Sequence, residues 1–269
     1  MTLGILYLAG DHTDRQIISI RGDNHIIDLI TQVNESYLKA NILKLQSYGT
    51  RYPWGKQWEV ASWIAQQMKD LGYDVAIQNY DFNEKEWPNV IARKKGNTDP
   101  TAIIILLAHF DSISDDPENN APGADDNGSG IAILLESARI LKDIDFNNTL
   151  TFSFFSNEET GTAGSNYYAE KAKESGLNIK AAINFDVLGY NKPSSVFPIA
   201  AIKAQGSIRH KAKAIYRIQM NNILGLLHGN DAVKVAGKIA NEKLAKAVSN
   251  IFRQYSDLTV LESIREDCG

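Results

Sequence analysis

The chain has 269 residues, of which 43% are hydrophobic and 22% charged, and its formal net charge is −4. This length and composition fit a globular protein of one large or two small domains with a sizeable core. The weak acidity argues against a dedicated nucleic-acid-binding protein. The single cysteine, Cys268, excludes an intrachain disulfide framework and a zinc site built from thiolates.

The sequence shows no sign of a membrane span, because no stretch approaches ~18 consecutive apolar residues. The first residues, MTLGILYLAGDHTD, contain an apolar patch but lack the positive segment that opens a signal peptide. The sequence therefore leaves the compartment open, and it leaves the oligomeric state open as well.

The first predicted elements are two helices. Residues 1–33 are poorly patterned, and a helix is predicted near 36–47. Apolar residues then recur at helical spacing from Trp58 to Leu71, and Gly72 is placed to end that helix.

Strands that alternate with helices follow. YDVAIQNYDF and PNVIARKKG are predicted to be strands. Three strongly apolar runs come next, and they are TAIIILLA (101–108), TLTFSFFS (149–156) and IKAAINF (179–185). Helical patterns separate these runs, from Ile131 to Ile144 and around 164–175. This alternation predicts an α/β fold with a mixed, mostly parallel sheet and helices on both faces.

The stretch 187–240 is less regular and carries a basic segment, AIKAQGSIRHKAKAIYRIQ. We interpret 191–240 as an irregular insertion with a solvated face, and a flap that contacts a peptide or a partner is the alternative. Beyond it, 241–256 has helical spacing and LTVLESI is predicted to be a final strand. The predicted organisation is a poorly patterned segment, 1–33, followed by one domain, 34–269.

Each of the three apolar runs ends in residues that can bind a metal ion, and a loop before a predicted helix adds two more. They are His109 and Asp111 after the first run, Glu158 and Glu159 after the second, Asp186 after the third, and Asp125 and Asp126 in the loop APGADDNGSG. In open α/β sheets, ligand sites form beyond the carboxyl ends of the strands. We therefore predict that these side chains meet at one edge of the sheet.

Taken singly, each of these residues has an ordinary structural explanation. The Glu158–Glu159 pair could form a solvated turn, Asp186 could cap the segment that follows it, and the two acids in DDNGSG suit a turn. Jointly, like charges gathered at one edge cost free energy unless a cation offsets them. One imidazole with several carboxylates suits a divalent metal, zinc first and manganese or cobalt as rivals.

The chain resembles the co-catalytic zinc aminopeptidases, the bacterial leucyl aminopeptidase and glutamate carboxypeptidase type, in the four motifs AHFDS, PGADDNGSG, FSNEETGTAGS and INFDVLGY. GTR at 49–51 and NVIA at 89–92 also look like upstream parts of that family. The resemblance covers about 36–190 well. It implies the three-layer sandwich of the zinc exopeptidases. It also implies hydrolysis of a peptide bond at a free terminus, and it favours the amino terminus over the carboxyl terminus.

The resemblance also implies which residues hold the metal ions. His109 and Asp186 would bind one zinc, Glu159 would bind a second, and Asp126 would bridge the two. In the resembled family the bridging aspartate is followed by a non-proline cis peptide, which places such a bond at Asp126–Asn127 here.

Two further residues receive roles other than metal ligation. Glu158 would be the catalytic general base, which takes a proton from water and later gives it to the leaving amine. Asp111 would accept a hydrogen bond from the ring of His109 and so set its tautomer.

The expected partner is a peptide with a free terminus, and neither a nucleic acid nor a membrane is expected.

One expected ligand is missing. The family's second zinc takes a histidine from a late SDH motif, which the spacing from Asp186 places near or just past 261–266. The histidines of this chain are His12, His25, His109, His210 and His228. We therefore expect a chain truncated relative to the family's enzymes, with one complete zinc site and poor activity. His210 or His228 could substitute if 187–240 folds over the site.

Two other functions fit parts of the pattern. A glutaminyl cyclase, which is a transferase on a related fold, shares the His-x-Asp and a Glu-Glu-like strand end but uses one zinc. A non-catalytic relative would keep the fold as a binding module. Such a protein is expected to lose Glu158 or the bridging Asp126, and both residues are present.

Overall fold

The computed structural model describes residues 4–10, 24–53, 55–189, 232–238, 242–255 and 259–265. In chain order the elements are β1 (Gly4–Gly10), α1 (Asn24–Ile30), α2 (Glu35–Gln46), α3 (Gln57–Asp70), β2 (Asp74–Phe82), β3 (Lys85–Lys94), β4 (Asp99–His109), α4 (Gly128–Leu141), β5 (Asn148–Phe155), α5 (Ala163–Glu174), β6 (Asn178–Asp186), β7 (Ala232–Lys238), α6 (Glu242–Tyr255) and β8 (Thr259–Arg265). None of these helices is long and apolar enough to cross a bilayer.

The strands form one mixed sheet in the order β2-β3-β5-β4-β6-β1-β7-β8. β4 runs parallel to both β5 and β6, and β7 runs parallel to both β1 and β8. The pairs β2–β3, β3–β5 and β1–β6 are antiparallel. Four of the seven neighbouring pairs are therefore parallel, which confirms the predicted mixed, mostly parallel sheet.

One face of the sheet packs against α2, α3 and α4. Successive side chains of a strand point to opposite faces, so alternate residues enter this layer. Val90 of β3 and Phe152 of β5 are completely buried here. They lie in one cluster with Leu45, Ile64 and Leu134 from the three helices.

The opposite face of the same strands packs against α5. Ile91, Ile105 and Phe155 form a second buried cluster with Tyr168 and Ala172 of that helix. The rings of Phe155 and Tyr168 have centroids 5.4 Å apart. Since β3, β4 and β5 contribute to both clusters, the sheet lies between two helical layers, and the predicted three-layer sandwich is confirmed.

The helix α3 follows its predicted apolar pattern with one exception. Ile64 and Met68 are completely buried, whereas Trp58, at the start of the apolar pattern, is 42% exposed. Gly72 follows the helix with φ +87°, and the N–H of Tyr73 donates to the carbonyl of Met68 (3.1 Å). A left-handed glycine with this return bond is a common helix end, as Gly72 predicts.

The sequence did not predict β1, α1 or β7. The first two lie in the poorly patterned segment 1–33, and β7 lies in 191–240. β1 lies between β6 and β7, so its place depends on main-chain pairing with strands far away in the chain. The rest of 191–240, including the basic segment and the alternative of a flap, lies outside the described residues.

The core against α2, α3 and α4 generates a prediction. Phe152 is completely buried, and its ring meets the ring of Tyr73 edge-on with centroids 5.3 Å apart. Phe152→Ala should lower the free energy of unfolding by ~3–5 kcal/mol, because apolar contacts are lost and a cavity is left. Ile77 is 41% exposed and is the control; Ile77→Thr should stay within ~0.5 kcal/mol. Urea denaturation of both variants measures the difference, and equal losses would contradict the packing described.

Candidate metal centre

The carboxyl ends of β4, β5 and β6 bring the predicted ligand residues together. His109 is the last residue of β4, Asp186 is the last residue of β6, and Glu158 and Glu159 follow β5. Asp126 lies just before the start of α4. Since β4 is parallel to β5 and to β6, these residues leave the sheet at the same edge.

His109 lies at the centre of this cluster. Its Nε2 lies 3.3 Å from Oδ1 of Asp126 and 3.5 Å from Oδ1 of Asp186. On the other side of the ring, Nδ1 lies 3.4 Å from Oδ1 of Asp111. Nε2 therefore faces two carboxylates while Nδ1 faces a third, which is how a metal-binding histidine and its orienting partner are arranged.

The spacing of these atoms fits a zinc ion. Ligand atoms bound ~2.0–2.1 Å from a tetrahedral zinc lie about 3.3 Å from one another. The ligand-capable atoms of His109, Asp126 and Asp186 all lie within 4.8 Å of one another, and the two Nε2–Oδ1 distances are close to the tetrahedral value. An imidazole with carboxylates is also a donor set that zinc accepts.

Two buried carboxylate oxygens point to the same conclusion. Oδ1 of Asp186 and Oε1 of Glu159 have no hydrogen-bond partner among the described residues. Burying an anionic oxygen without a partner costs free energy, so such atoms are normally paired or bound to a metal. Both oxygens are therefore suited to ligate a cation.

The two glutamates form a second group with His109, in which the ligand-capable atoms again lie within 4.8 Å of one another. Burial is the main cause that raises the pKa of Glu158; His109 opposes this shift and Asp111 adds to it. Burial, followed by the negative charge of Asp126, likewise raises the pKa of Glu159. A carboxyl group with a raised pKa is suited to exchange a proton near neutral pH.

The pKa of His109 is also shifted by the neighbouring carboxylates. Burial by itself lowers the pKa of His109, but contacts with Asp111, Asp126 and Asp186 outweigh burial and raise the pKa well above its ordinary value. A positive ring offsets part of the surrounding negative charge. A bound cation takes over this role and reverses the preference for a proton.

Asp111 holds the two glutamates as well as facing the histidine. Its side chain is completely buried. Oδ1 accepts a hydrogen bond from the N–H of Glu158, and Oδ2 accepts one from the N–H of Glu159, both at 3.0 Å. From the sequence we predicted only the contact with His109. Asp111 therefore fixes the backbone that carries both glutamates.

Asn157 turns this backbone toward Asp111. It has φ +55°, in the left-handed region that asparagine takes more readily than most residues. Its Oδ1 accepts from Nε2 of Gln57 (3.1 Å), and its Nδ2 donates to the hydroxyl of Tyr80 (2.8 Å). Our reading of the sequence missed this support, for which the only local signal is an asparagine directly before the two glutamates.

The loop that carries Asp126 is tied to the end of β6. The Asp126–Asn127 peptide bond is cis, which confirms that prediction. Nδ2 of Asn127 donates to the carbonyl of Phe185 (2.8 Å), and the N–H of Gly189 donates to Oδ1 of Asp125 (2.7 Å). Asp125, the other acid of this loop, therefore has a structural contact, and these bonds set the distance between the loop and the strand.

His210 and His228, either of which could substitute for the missing ligand, lie outside the described residues, as does His12. His25 is exposed near the start of α1. The expectation of one complete zinc site, and the alternative that His210 or His228 substitutes for the missing ligand, therefore both stay predictions.

The fold and this centre define an α/β protein with a metal site at the carboxyl ends of a mixed sheet. The sequence profile of Peptidase family M28 matches residues 89–229, which is just over half of the chain. The chain therefore belongs to peptidase family M28, which confirms the resemblance seen in the four motifs.

Relatives from fungi carry related names. A protein of Pyrenophora tritici-repentis named as a probable zinc metalloprotease is 29% identical over 229 residues, which are 74% of this chain and 47% of that protein. A probable leucine aminopeptidase of Arthroderma otae is 36% identical over 198 residues, which are 68% of this chain and 53% of that protein. The chain thus spans about half the length of these relatives.

Solved structures share the fold. LapA of Legionella pneumophila superposes with a TM-score of 0.67 at 16% identity, over 95% of this chain and 61% of that one. A glutaminyl cyclase of Porphyromonas gingivalis superposes with a TM-score of 0.54 at 18% identity, over 87% of this chain and 84% of that one. Aminopeptidases and cyclases are thus both built on this sheet and its helices.

The contacts of Asp111 generate a prediction. Asp111→Asn should weaken zinc binding by ~10–100-fold, because an amide places its NH₂ against an N–H donor and releases one of the two glutamates. Asp116 is exposed in the same loop and is the control; Asp116→Asn should bind zinc like the unchanged protein. Competition with a chelator measures both affinities. Equal affinities of the two variants would contradict this role of Asp111.

Proposed function

We propose that this chain carries the active centre of a zinc-dependent exopeptidase that removes N-terminal residues from peptides. The observation that carries the proposal is the position of Glu158 beside the His109, Asp126 and Asp186 group, whose spacing fits zinc. Membership of family M28 supports a peptidase. The names of the two fungal relatives support zinc and the amino terminus.

In this proposal His109, Asp126 and Asp186 would hold one zinc ion, and Asp126 and Glu159 would take part in holding a second. Zinc bound at such a site lowers the pKa of water and stabilises negative charge on the oxygen of the scissile carbonyl. Oδ1 of Asp111 faces Nδ1 of His109 at 3.4 Å, and its charge favours a proton on Nδ1, which would leave the lone pair of Nε2 for a metal ion.

Glu158 moves the protons of the reaction. As general base it takes a proton from the attacking water, and it then gives that proton to the leaving amine. Burial raises its pKa, which suits a group that must both accept and release a proton near neutral pH. The hydrogen bond from its N–H to Asp111 keeps its side chain beside the metal ligands.

The proposed substrate is a peptide with a free terminus, and the first test is a panel of aminoacyl-nitroanilides together with metal analysis. A carboxypeptidase or dipeptidase would leave the panel uncleaved and cleave peptides with a free carboxyl terminus. A glutaminyl cyclase would instead close an N-terminal glutaminyl residue, and a binding module would do neither.

Substituting each of the two adjacent glutamates in turn distinguishes the general base from the metal ligand. In an active form of the enzyme, Glu158→Gln should keep bound zinc but lose ~10²–10⁴-fold in turnover, the usual contribution of a positioned general base. Glu159→Gln should bind less zinc, because it removes a ligand of the second, incomplete site, whereas the site of His109, Asp126 and Asp186 keeps its three ligands. Metal content by mass spectrometry and turnover on the best nitroanilide are measured for both variants. Loss of zinc from the Glu158 variant alone would reverse the two roles.

A further inference from the structure

Arg51 is a buried cation that the proposed reaction does not use. Its side chain is completely buried. Burial lowers the pKa of Arg51 to about 10, and the charges of Asp111, Asp126 and Glu159 oppose this decrease. The guanidinium is therefore positive at neutral pH, and a buried cation of this kind needs strong partners.

Among the described residues, the hydrogen bonds of this guanidinium all go to main-chain carbonyls. Nε donates to Phe110 (2.7 Å), Nη1 donates to Pro122 (2.6 Å) and to Leu45 (3.2 Å), and Nη2 donates to Gly123 (2.8 Å). These carbonyls belong to three separate segments of the chain. Only a planar fork of donors can reach all of them at once.

Two of these segments carry proposed zinc ligands. Phe110 follows His109 directly at the end of β4, and Gly123 precedes Asp126 by three residues. The donors of the guanidinium therefore hold the backbone next to His109 and the loop that leads to Asp126. Its positive charge interacts with Asp111, Asp126 and Glu159.

A second link joins the same two segments. The N–H of Arg51 donates to Oγ of Ser112 (3.2 Å), and that hydroxyl donates to the carbonyl of Ala121 (2.5 Å). Gly123 has φ +47°, and a Cβ there would lie 2.7 Å from Nη2 of Arg51 and 2.5 Å from the carbonyl oxygen of Asp126. The loop is therefore packed directly against the guanidinium.

We propose that Arg51 is a positioning residue for the metal centre, which sets the distance between His109 and Asp126 through the backbone next to each of them. The inference rests on the proposed zinc centre, but it does not depend on which bond the enzyme cleaves. It also gives a function to the GTR segment, which the proposed mechanism does not use.

Arg51→Lys tests the proposal, because lysine keeps the positive charge but is a single point that cannot reach three segments. Zinc affinity should fall by ~10–100-fold, the usual effect of losing a group that orients metal ligands. The absorption spectrum of bound Co²⁺ should change as well, because it reports the arrangement of the ligands. Both are measured at a temperature where the variant is folded.

Arg139→Lys is the matched control. Arg139 also donates to a main-chain carbonyl, that of Gln32 (2.6 Å), and it pairs with the buried Glu136 (2.7 Å). It lies roughly 16 Å along α4 from the helix start beside Asp126. This variant should lose stability in thermal unfolding but keep the zinc affinity and the Co²⁺ spectrum of the unchanged protein.

The measurements distinguish a positioning role of Arg51 from a merely structural one. If Arg51→Lys unfolds more easily but binds zinc as the unchanged protein does, Arg51 is merely structural and the inference is overturned. If Arg51→Lys does not fold, Ser112→Ala removes the second link instead; it should weaken zinc binding severalfold, and unchanged binding overturns the inference. Closure of an N-terminal glutaminyl residue without cleavage of the nitroanilide panel would refute the proposed function. It would leave this test intact, because zinc affinity and the Co²⁺ spectrum do not depend on turnover.

Discussion

β4 runs parallel to both β5 and β6, so the residues that follow these three strands leave the sheet at one edge. The rest of the site depends on this constraint, because it forces one histidine and several carboxylates into a small volume. Like charges at such distances repel, and burial removes the water that would screen them. The arrangement is stable only if other groups, or a cation, offset the charge.

The structure meets this requirement by fixing the backbone beside the acidic side chains. Asp111 accepts hydrogen bonds from two successive N–H groups, and Arg51 donates to carbonyls in the segments that carry His109 and Asp126. Asn127 ties the Asp126 loop to the end of β6. Because hydrogen bonds to charged groups contribute ~1.5–3 kcal/mol each, these contacts can hold like charges together until a metal binds.

The position of the site at the strand ends explains how one fold supports different reactions. Aminopeptidases and glutaminyl cyclases superpose on this chain, so the sheet and its helices do not decide the chemistry. The chemistry depends on the side chains at the strand ends and on the loops between them. In this chain those residues include Glu158, placed beside the ligand group by the hydrogen bond to Asp111.

The sequence by itself determined the strongly apolar strands, the helices between them, and the residues that end each strand, because these features depend on local periodicity and on short motifs. The tertiary structure alone decided that Asp111 holds both glutamates, that Arg51 joins the segments that carry His109 and Asp126, and that β1 lies between β6 and β7. These contacts join residues far apart in the chain through backbone groups. Every residue has the same backbone groups, so no pattern of side chains reveals which of them will meet.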